Sequence, residues 1–252
     1  MKNKIWNEIV KNNFNNAASN YSRYSNIQRH FANKIVSFLK EQNIQTGNWI
    51  DLGSGTGLLA DEIEKVFPSK KVSRIDFSKN MLLQNKASSK KILWDLNYCL
   101  PNYLRNSALM TSNFCIHWLD YPEKKVRDWF KRLRSGGYLI ISYPTSECFP
   151  EWRQTCREIN IEYSGMSFPL AKDIIKNFNS DEIYLSNKYL FVETYPDIYQ
   201  LLRSIVNVGA QSTKCKRKTI HELKEMQKFW PKNKSNSVNL TWEISIQILK
   251  KP

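Results

Sequence analysis

The sequence predicts an α/β fold, in which a mostly parallel sheet is covered by helices on both faces. Two observations predict it. Between residues 46 and 143, short apolar segments alternate with amphipathic segments of helical periodicity. The first of these apolar segments is followed directly by a cluster of glycines, which holds three of the eight glycines of the chain. Strands that alternate with helices are typical of parallel sheets.

The first predicted strand and helix enclose the glycine cluster. Trp49–Leu52 is short and apolar, and the amphipathic helix Leu58–Phe67 ends before Pro68. The turn between them is Gly53-Ser54-Gly55-Thr56-Gly57. Because glycine lacks a Cβ atom, such a turn can adopt positive φ and allows a ligand close to the backbone, while the helix N-terminus offers unpaired N–H groups. The turn therefore predicts a nucleotide-like ligand.

The spacing of the glycines differs from that of the common phosphate-binding turns. It lacks the lysine of the P-loop motif and departs from the Gly-x-Gly-x-x-Gly motif of dinucleotide sites. In addition, Asp51 precedes the first glycine by two positions, and its negative charge would repel a pyrophosphate. A cationic or amino-bearing ligand suits this turn better.

Two further acids follow at the ends of predicted strands. Asp76 lies in the strand Val72–Ser78, about twenty residues beyond the last glycine, where a carboxylate suits a ribose diol. Asp95, in the strand Lys91–Leu96, could accept a hydrogen bond from an adenine amino group. Each acid alone more often caps a following helix. Together with the glycine cluster, they resemble the class I S-adenosylmethionine-dependent methyltransferases, whose sulfonium cofactor is cationic and has no phosphate.

The middle of the chain continues the alternation and then departs from it. Ser107–Phe114 is predicted as a central strand, Pro122–Arg134 as a helix, and Tyr138–Ser142 as a buried strand that follows a turn at Gly136-Gly137. Beyond Pro144, two predicted helices follow each other without a strand between them, at 151–163 and 171–178. We therefore expect a helical lid insertion over residues 144–180.

The remaining segments complete the sheet. Strand character returns at Ile183–Leu185 and Lys188–Thr194, followed by helices at Pro196–Val206 and Thr219–Trp230. The closing strand, Val238–Leu249, alternates, which is typical of a sheet margin or of a pair with one less-buried face. We expect one domain over residues 1–252, with the following parts: an N-terminal helical segment over the active site (1–45), a cofactor-binding half (46–143), the lid (144–180), and the C-terminal strands and helices (181–252).

Composition limits the classes of function. A chain of 252 residues with 41% hydrophobic residues is long and apolar enough for one sizeable globular domain. The residues Met1–Asn20 are polar, and no apolar stretch reaches the length of a membrane span, so we expect a cytoplasmic protein without a membrane partner. Five scattered cysteines without a Cys-x-x-Cys pair, and three histidines without ligand spacing, support neither a metal site nor a disulfide framework.

The net charge of +15 favours encounters with anionic partners, such as RNA, DNA or an acidic protein. Biased codon usage is an equally good explanation of the high lysine content. The densest basic run, Lys214–Lys218, has few interleaved aromatic residues. Because single-stranded nucleic acids are usually bound by stacking on aromatic rings, a nucleic-acid partner is disfavoured.

Four segments outside the glycine turn resemble one family, the malonyl-acyl-carrier-protein O-methyltransferases of biotin synthesis. The segments are 14–21 with Ile27-Gln28, 112–118, 202–210 and 240–243. The resemblance extends over nearly the whole chain. The sequence departs from the family pattern at Ser54, where cysteine or alanine is common, and at Arg134-Ser135-Gly136-Gly137, which lacks the usual proline.

The resemblance implies a Rossmann-like sheet of seven strands and a defined reaction. The methyl group of S-adenosylmethionine would pass to the free carboxylate of a malonyl thioester on acyl carrier protein, and the methyl ester would prime synthesis of the pimeloyl chain of biotin. The partner would be the acidic malonyl-acyl carrier protein, which gives the basic surface a purpose, and we expect a monomer. Two alternatives remain: a methyltransferase for another carboxylate, a small metabolite or RNA, and a cofactor-binding protein without catalysis.

The chemistry needs positioning residues and no general base, because carboxyl groups with pKa values near 4 are already ionised at pH 7. The resemblance suggests Tyr21 as the catalytic residue. Arg203 could clamp the malonyl carboxylate, or could lie on a solvated helix face. His117 and Trp118 follow the end of a strand, where α/β folds bind ligands, although a structural histidine is the commoner outcome. The expected cofactor-binding residues are Gln28, Asp51, Gly53, Gly55, Gly57, Asp76, Phe77, Met81, Asp95 and Asn113.

Overall fold

The computed structural model describes residues 2–213 and 215–252, with side chains from Ile5 onward. The helices are α1 (Lys2–Tyr24), α2 (Asn26–Lys40), α3 (Leu58–Val66), α4 (Lys79–Leu83), α5 (Pro122–Lys131), α6 (Pro150–Glu158), α7 (Ala171–Ile175), α8 (Ile198–Asn207) and α9 (Ile220–Phe229). The strands are β1 (Trp49–Leu52), β2 (Val72–Asp76), β3 (Lys91–Leu93), β4 (Ser107–Asn113), β5 (Leu133–Pro144), β6 (Ile183–Tyr195) and β7 (Val238–Lys250). In the described part of the chain, no helix is long and apolar enough to cross a bilayer.

The strands form one sheet in the order β3-β2-β1-β4-β5-β7-β6. Strands β1 to β5 are parallel to their neighbours, whereas β7 is antiparallel to both β5 and β6. This confirms the prediction of a seven-stranded, mostly parallel sheet flanked by helices. The strand order reverses direction at β1 and β4, so the carboxyl ends of β1, β2 and β4 meet at the edge where α/β folds bind ligands.

The central strands are buried along almost their whole length because helices cover both faces of the sheet. All four residues of β1 are buried. On one face, Phe31, Ile35 and Leu39 of α2 pack with residues of α3. On the other face, Trp129 and Phe130 of α5 belong to a second apolar cluster. This two-sided burial explains why the sequence predicts these strands as continuous apolar runs.

A third apolar cluster joins the predicted lid to the C-terminal helices. Phe149 and Trp152, at the start of α6, pack with Leu201 of α8, Met226 of α9 and Leu240 of β7. The cover over this side of the sheet therefore has two parts, residues 144–180 and the helices that follow β6. The sequence predicted the elements of both parts but assigned the lid to the first part alone.

Several element bounds differ from the predictions. Gly136-Gly137 lies inside β5 rather than in a turn before it, at an irregularity where the pairing with β4 shifts register and Gly136 has φ +73°. Helix α5 accordingly ends at Lys131 and not at Arg134. Helices α6 and α7 also end earlier than predicted, and β3 ends at Leu93. The register shift is a local feature, which the hydrophobic periodicity of the sequence does not reveal.

Two predictions concerning strands and one concerning helices also need correction. The two predicted segments around residues 183–194 are one strand, β6, which forms the sheet margin. Strand β7, which alternates, lies between β5 and β6 instead of at the margin. Helix α4 was not predicted, because five residues are too few for a helical period to be detected.

Candidate functional site

The glycine turn is held against the sheet by backbone hydrogen bonds. The N–H groups of Gly53 and Ser54 both donate to the carbonyl of Ile75 in β2, at 2.8 and 2.9 Å. Gly53 has φ +71°, and a Cβ atom at this position would lie 2.2 Å from Sγ of Cys115. Only glycine fits this position, because both the backbone conformation and the space exclude a side chain.

The turn forms one wall of a cavity of about 80 Å³, which we call the first cavity. Its other walls come from α1, α2 and the residues that follow β2, β3 and β4. The structure brings the following predicted residues together around it: Tyr21, Gln28, Asp51, Gly53, Gly55, Asp76, Phe77, Met81, Asp95, Asn113 and Trp118. The carboxyl edge of the sheet thus holds the ligand cavity that the glycine turn and the acids predict.

Asp51 places an unpaired carboxylate oxygen at the first cavity. Its Oδ1 accepts a hydrogen bond from Oγ1 of Thr111 at 3.0 Å. Its Oδ2 is buried and makes no hydrogen bond of good geometry with a described residue, although the backbone of Ala60 lies close enough to the carboxylate to lower its pKa. Burial raises the pKa of Asp51 to about 7, against the opposing effects of the Thr111 hydrogen bond and the positive charge of Arg74. A cation in the cavity would satisfy this oxygen and favour the ionised form.

Asp76 is oriented by the backbone. Its Oδ2 accepts from the N–H of Gly55 and its Oδ1 from the N–H of Ser78, both at 2.8 Å. Burial raises the pKa of Asp76 to about 6, although these hydrogen bonds lower it. Asp95 is half-buried, and its Oδ1 accepts from the N–H of Asn97 at 2.9 Å. Three carboxylates therefore line the first cavity and give it a negative lining.

A larger cavity of about 270 Å³ adjoins the first, and we call it the second cavity. The two cavities share a wall, which consists of Phe14, Tyr21, Gln28, Phe114 and Trp118. The rest of the second cavity is mostly apolar, and its aromatic contributions include Phe149, Trp152, Phe168 and Trp242. The structure therefore presents two adjacent chambers, one with a carboxylate lining and one with an apolar lining.

Cationic side chains lie along the second cavity. Lys216 and Arg217 line it and are also exposed to solvent, so they lie at its rim. Neither takes part in an ion pair with a described residue. Lys218 is different, because its side chain is mostly buried and pairs with Glu222 at 3.6 Å. Lys214, the first residue of the basic run, lies outside the described residues.

Tyr21 and Gln28 lie in the wall between the cavities. Burial and the nearby Asp76 charge raise the pKa of the Tyr21 phenol above its usual value, so it is neutral and can donate a hydrogen bond. Oε1 of Gln28 is buried without a hydrogen-bond partner among the described residues. Each of the two residues thus has a polar group that forms no hydrogen bond with a described residue.

Asn113 has a structural role in addition to its place in the wall. Its Nδ2 donates to the backbone carbonyl of Gln28 at 2.9 Å, and its Oδ1 accepts from Oγ of Ser142 at 2.5 Å. The amide therefore connects α2, β4 and β5. Because both ends of the amide are already engaged, Asn113 shapes the first cavity chiefly through its position.

Three predicted site residues lie elsewhere. His117 contacts only the second cavity, and burial lowers its pKa to about 3, so it is neutral at pH 7. Arg203 is exposed on α8 and belongs to neither cavity wall. With 100° per residue, it lies on the side of α8 opposite the inward residues Ile198, Leu202 and Ile205. The prediction that Arg203 clamps a carboxylate in the cavity is therefore not supported by its position.

Gly57, the third exception, begins α3 and does not line the first cavity. A Cβ atom there would lie 2.2 Å from Oδ1 of Asn85 and 2.5 Å from Nη1 of Arg74. The glycine is therefore required for packing beneath the turn. Its prediction as a cofactor contact is replaced by this structural role.

Some site residues were not predicted. Phe14 packs edge-on against Tyr21, Phe77 and Trp118, with ring centroids 6.5, 6.3 and 5.2 Å away. It belongs to α1, whose Val10, Phe14, Ala18 and Tyr21 follow one another at spacings of three or four residues, and this helical spacing is the signal that could have identified it. Glu193 lines the second cavity and accepts a hydrogen bond from Nε1 of Trp242 at 2.9 Å, and burial raises its pKa. No local pattern marks Glu193, because the second cavity is formed by distant segments.

The geometry can be compared with known proteins. Residues 24–201 match the family model described as a methyltransferase domain, which is more than half of the chain. The chain belongs to this family, the class I S-adenosylmethionine-dependent methyltransferases. Its methyl donor is S-adenosylmethionine. The unpaired Oδ2 of Asp51 and the negative lining of the first cavity fit this cationic donor, which confirms the choice of ligand predicted from the glycine turn.

Relatives of known name are distant but cover most of the methyltransferase. The malonyl-[acyl-carrier protein] O-methyltransferase of Bacillus cereus is 26% identical over 220 residues, 81% of each chain. That of Buchnera aphidicola is 27% identical over 225 residues, 87% of this chain and 89% of the relative. A third, from Ilyobacter polytropus, is 25% identical and covers 96% of this chain and 97% of the relative.

Solved structures share the fold at lower identity. The YcgJ protein from Bacillus subtilis has a TM-score of 0.61 at 12% identity, with 88% of this chain and 98% of that chain covered. The plantazolicin methyltransferase BpumL, solved in complex with SAH, has a TM-score of 0.55 at 13% identity, with 98% and 96% covered. These similarities support the Rossmann-like fold of the methyltransferase.

Proposed function

We propose that this methyltransferase transfers the methyl group of S-adenosylmethionine to the free carboxylate of a malonyl group, held as a thioester on acyl carrier protein. The observation that carries the proposal is the shared wall at Tyr21 and Gln28 between a carboxylate-lined cavity and an apolar cavity with a cationic rim. A cationic donor suits the first cavity, and an anionic acceptor on an acidic protein suits the second. The names of the relatives support this choice of acceptor.

On the donor side, the proposal assigns each acid a role. When bound, S-adenosylmethionine supplies a methyl group on a positively charged sulfur, which makes it open to attack by an oxygen nucleophile. Asp51 would pair its free Oδ2 with the donor's positive charge, Asp76 would bind the ribose hydroxyls, and Asp95 would accept from the adenine amino group. Gly53 and Gly55 allow close approach to the backbone. Apolar walls at Phe77 and Met81 would enclose the rest.

On the acceptor side, the residues would orient an oxygen that is already charged. The malonyl carboxylate is ionised at pH 7, so no base has to remove a proton. His117 is neutral and could donate one hydrogen bond but supplies no positive charge. The neutral Tyr21 hydroxyl would hold the carboxylate in line with the methyl group. The aromatic lining, with Trp118, excludes water and so strengthens the interactions between the reacting charges.

Two covers would close the cavities during the reaction. On the donor side the cover would be α1, whose Asn7, Val10 and Phe14 form part of the wall of the first cavity. Residues of the predicted lid, among them Phe149, Trp152 and Phe168, line the second cavity. In the proposal, this arrangement keeps water from both chambers while leaving the rim at Lys216 and Arg217 open to a carrier protein.

The second cavity also suits an acceptor presented on an arm. It extends from the shared wall at Tyr21 to the exposed rim at Lys216 and Arg217, so it has room for more than a malonyl group. A carrier protein delivers its thioester on a long flexible arm, which would occupy the remaining length of the cavity. The unpaired cations Lys216 and Arg217 would then face the acidic carrier surface, and the net charge of +15 would attract it.

A panel of acceptors tests the proposal. The protein is incubated with methyl-labelled S-adenosylmethionine and, in separate reactions, malonyl-acyl carrier protein, malonyl-coenzyme A, free malonate, or RNA. We expect label on the malonyl thioesters, with the carrier-bound form preferred, and none on RNA. Succinyl-acyl carrier protein, whose carboxylate lies one carbon further out, is the matched control for acceptor length. Absence of label from every malonyl thioester would refute the proposal, and label on free malonate or RNA alone would replace it.

A further inference from the structure

A buried arginine lies beneath the glycine turn. The side chain of Arg74, in β2, is fully buried. Its Nη2 pairs with Oδ1 of Asp61 at 2.7 Å and with Oε2 of Glu64 at 2.8 Å, both in α3. Its Nη1 donates to Oδ1 of Asn85 at 2.8 Å. A buried charge is tolerated only when its partners are fixed around it, so Arg74 imposes one arrangement on α3 and Asn85.

Asn85 connects this cluster to the turn. It is 5% exposed, and its Nδ2 donates to the carbonyl of Gly55 at 2.9 Å and to the carbonyl of Met81 at 3.1 Å. On its other side, Gly55 donates its N–H to Oδ2 of Asp76 at 2.8 Å. Gly55 is therefore held from both sides, by Asn85 at its carbonyl and by Asp76 at its N–H.

The backbone of Gly57 packs closely against Asn85 and Arg74. The missing Cβ of Gly57 would come within 2.2 Å of Oδ1 of Asn85 and 2.5 Å of Nη1 of Arg74. The backbone of the turn thus lies directly on the Arg74–Asn85 hydrogen bond. Neither Arg74 nor Asn85 lines the first cavity. Any effect they have on a ligand must pass through the turn.

We propose that Asn85, oriented by Arg74, is a positioning residue for the methyl donor. It fixes the carbonyl of Gly55, which fixes the Gly55 N–H, which in turn holds the carboxylate of Asp76 in the first cavity. Donor affinity therefore depends on a side chain that never touches the donor. The inference concerns the donor site alone and holds for any methyl acceptor.

The substitution Asn85→Asp tests whether Asn85 positions the donor site through its hydrogen bond to Gly55 or only packs beneath the turn. The aspartate keeps an oxygen acceptor for Arg74, now charged, so the buried arginine retains its partner. In place of the amide donor, however, it sets a second oxygen against the carbonyl of Gly55. We expect the Kd for S-adenosylmethionine, measured by titration calorimetry, to rise about tenfold, as expected for a lost hydrogen bond at a fixed position. The KM for the donor should rise in parallel, with an unchanged KM for the acceptor.

Asn43→Asp is the matched control, because Asn43 is exposed in the loop after α2 and the chemical change is the same. It should bind the donor as the unmodified protein does. Thermal unfolding without donor is measured for each variant. A folded N85D protein whose Kd is within twofold of the unmodified protein overturns the proposal, even if its Tm is lower. Should N85D not fold, Asn85→Ser, which also lacks the amide donor, carries the same expectation and the same refuting result.

Discussion

Asp51 shows how a single residue can favour ligand binding at the expense of folding. Its Oδ2 is buried and makes no hydrogen bond of good geometry with a described residue, and burial raises the pKa of Asp51 to about 7 from a usual value of 3.8. Between these two values the folded state binds more protons than the unfolded state. The free energy of unfolding that Asp51 contributes therefore falls as pH rises from about 4 to about 7. A bound cation would restore it by stabilising the ionised form.

The substitution Asp51→Asn tests whether Asp51 strengthens donor binding while it lowers the stability of the ligand-free protein. It removes the buried charge, so the Tm of the ligand-free protein at about pH 8 should equal or exceed that of the unmodified protein, and the fall in Tm between about pH 5.5 and 8 should be smaller. Donor binding should weaken by at least tenfold, since the ion pair is lost. Differential scanning fluorimetry and calorimetric titration at both pH values measure the two effects. An unaltered pH profile of Tm together with unaltered donor affinity would contradict the role of Asp51.

At the scale of elements, α1 closes the first cavity and is held by few polar contacts. Oδ1 of Asn15 accepts from Oγ of Ser78 at 2.7 Å, and its backbone carbonyl accepts from Nδ2 of Asn80 at 3.2 Å. Further along the helix, the hydroxyls of Ser22 and Thr56 lie 2.9 Å apart. Together with the buried Val10 and Ala18, these contacts with α4 and the glycine turn hold α1 over the cavity.

The substitution Asn15→Ala should therefore loosen this cover. We expect faster dissociation of the donor, by roughly threefold to tenfold, because the loss of a hydrogen bond worth about 0.5–1.5 kcal/mol lowers the barrier to opening. Stopped-flow fluorescence of donor release measures the rate. Asn12→Ala, an exposed position on the same helix, is the control and should leave the rate unchanged. Equal release rates for the two variants would show that Asn15 does not hold the cover.

The hydrophobic pattern of the sequence alone predicts the elements that are buried on all sides. Strands β1 and β4 are buried on both faces, so their apolar runs are explicit in the sequence. The glycine turn and Asp76 are similarly local, and the structure brings them together. The second cavity is different, because its walls come from segments as distant as Trp152, Glu193 and Trp242. Only the packing of the two covers places these side chains side by side.

Arg203 shows at one position why the sequence alone does not predict the walls of the second cavity. Its residue type suits a carboxylate clamp, but its side chain direction depends on the rotation of α8. That rotation is set by the burial of Ile198 and Leu201, which turns Arg203 to solvent. Lys216 and Arg217, part of a run with no periodic pattern, lie at the rim instead.

For the whole molecule, the distribution of charge separates the two substrates. The carboxylates Asp51, Asp76 and Asp95 line the first cavity within a chain whose net charge is +15. The unpaired cations Lys216 and Arg217 lie at the second cavity. If the acceptor is carried by an acidic protein, as proposed, this arrangement would direct the cationic donor and the anionic acceptor each to its own chamber.

Reversal of the rim charges tests whether Lys216 and Arg217 attract the acceptor to the second cavity. In the double variant Lys216→Glu and Arg217→Glu, kcat/KM for the carrier-bound acceptor should fall roughly tenfold at low salt, and its dependence on salt should flatten. The control, Lys40→Glu with Lys90→Glu, makes the same change in net charge at exposed positions outside both cavities. Steady-state rates over a salt series measure the effect. Equal losses in both double variants would mean that net charge, and not the rim, attracts the acceptor.

The central claim is that a carboxylate receives the methyl group, and the chemistry of the product tests it most directly. Malonyl-acyl carrier protein is incubated with the protein and methyl-labelled S-adenosylmethionine, and the carrier is re-isolated and treated with mild alkali. A methyl ester hydrolyses under these conditions, whereas a methylated nitrogen or sulfur does not. The account predicts a carrier that is heavier by one methylene group before alkali, and label that alkali, which also cleaves the thioester, releases as volatile methanol. Label that stays on the carrier after alkali, or a carrier of unchanged mass, would contradict it.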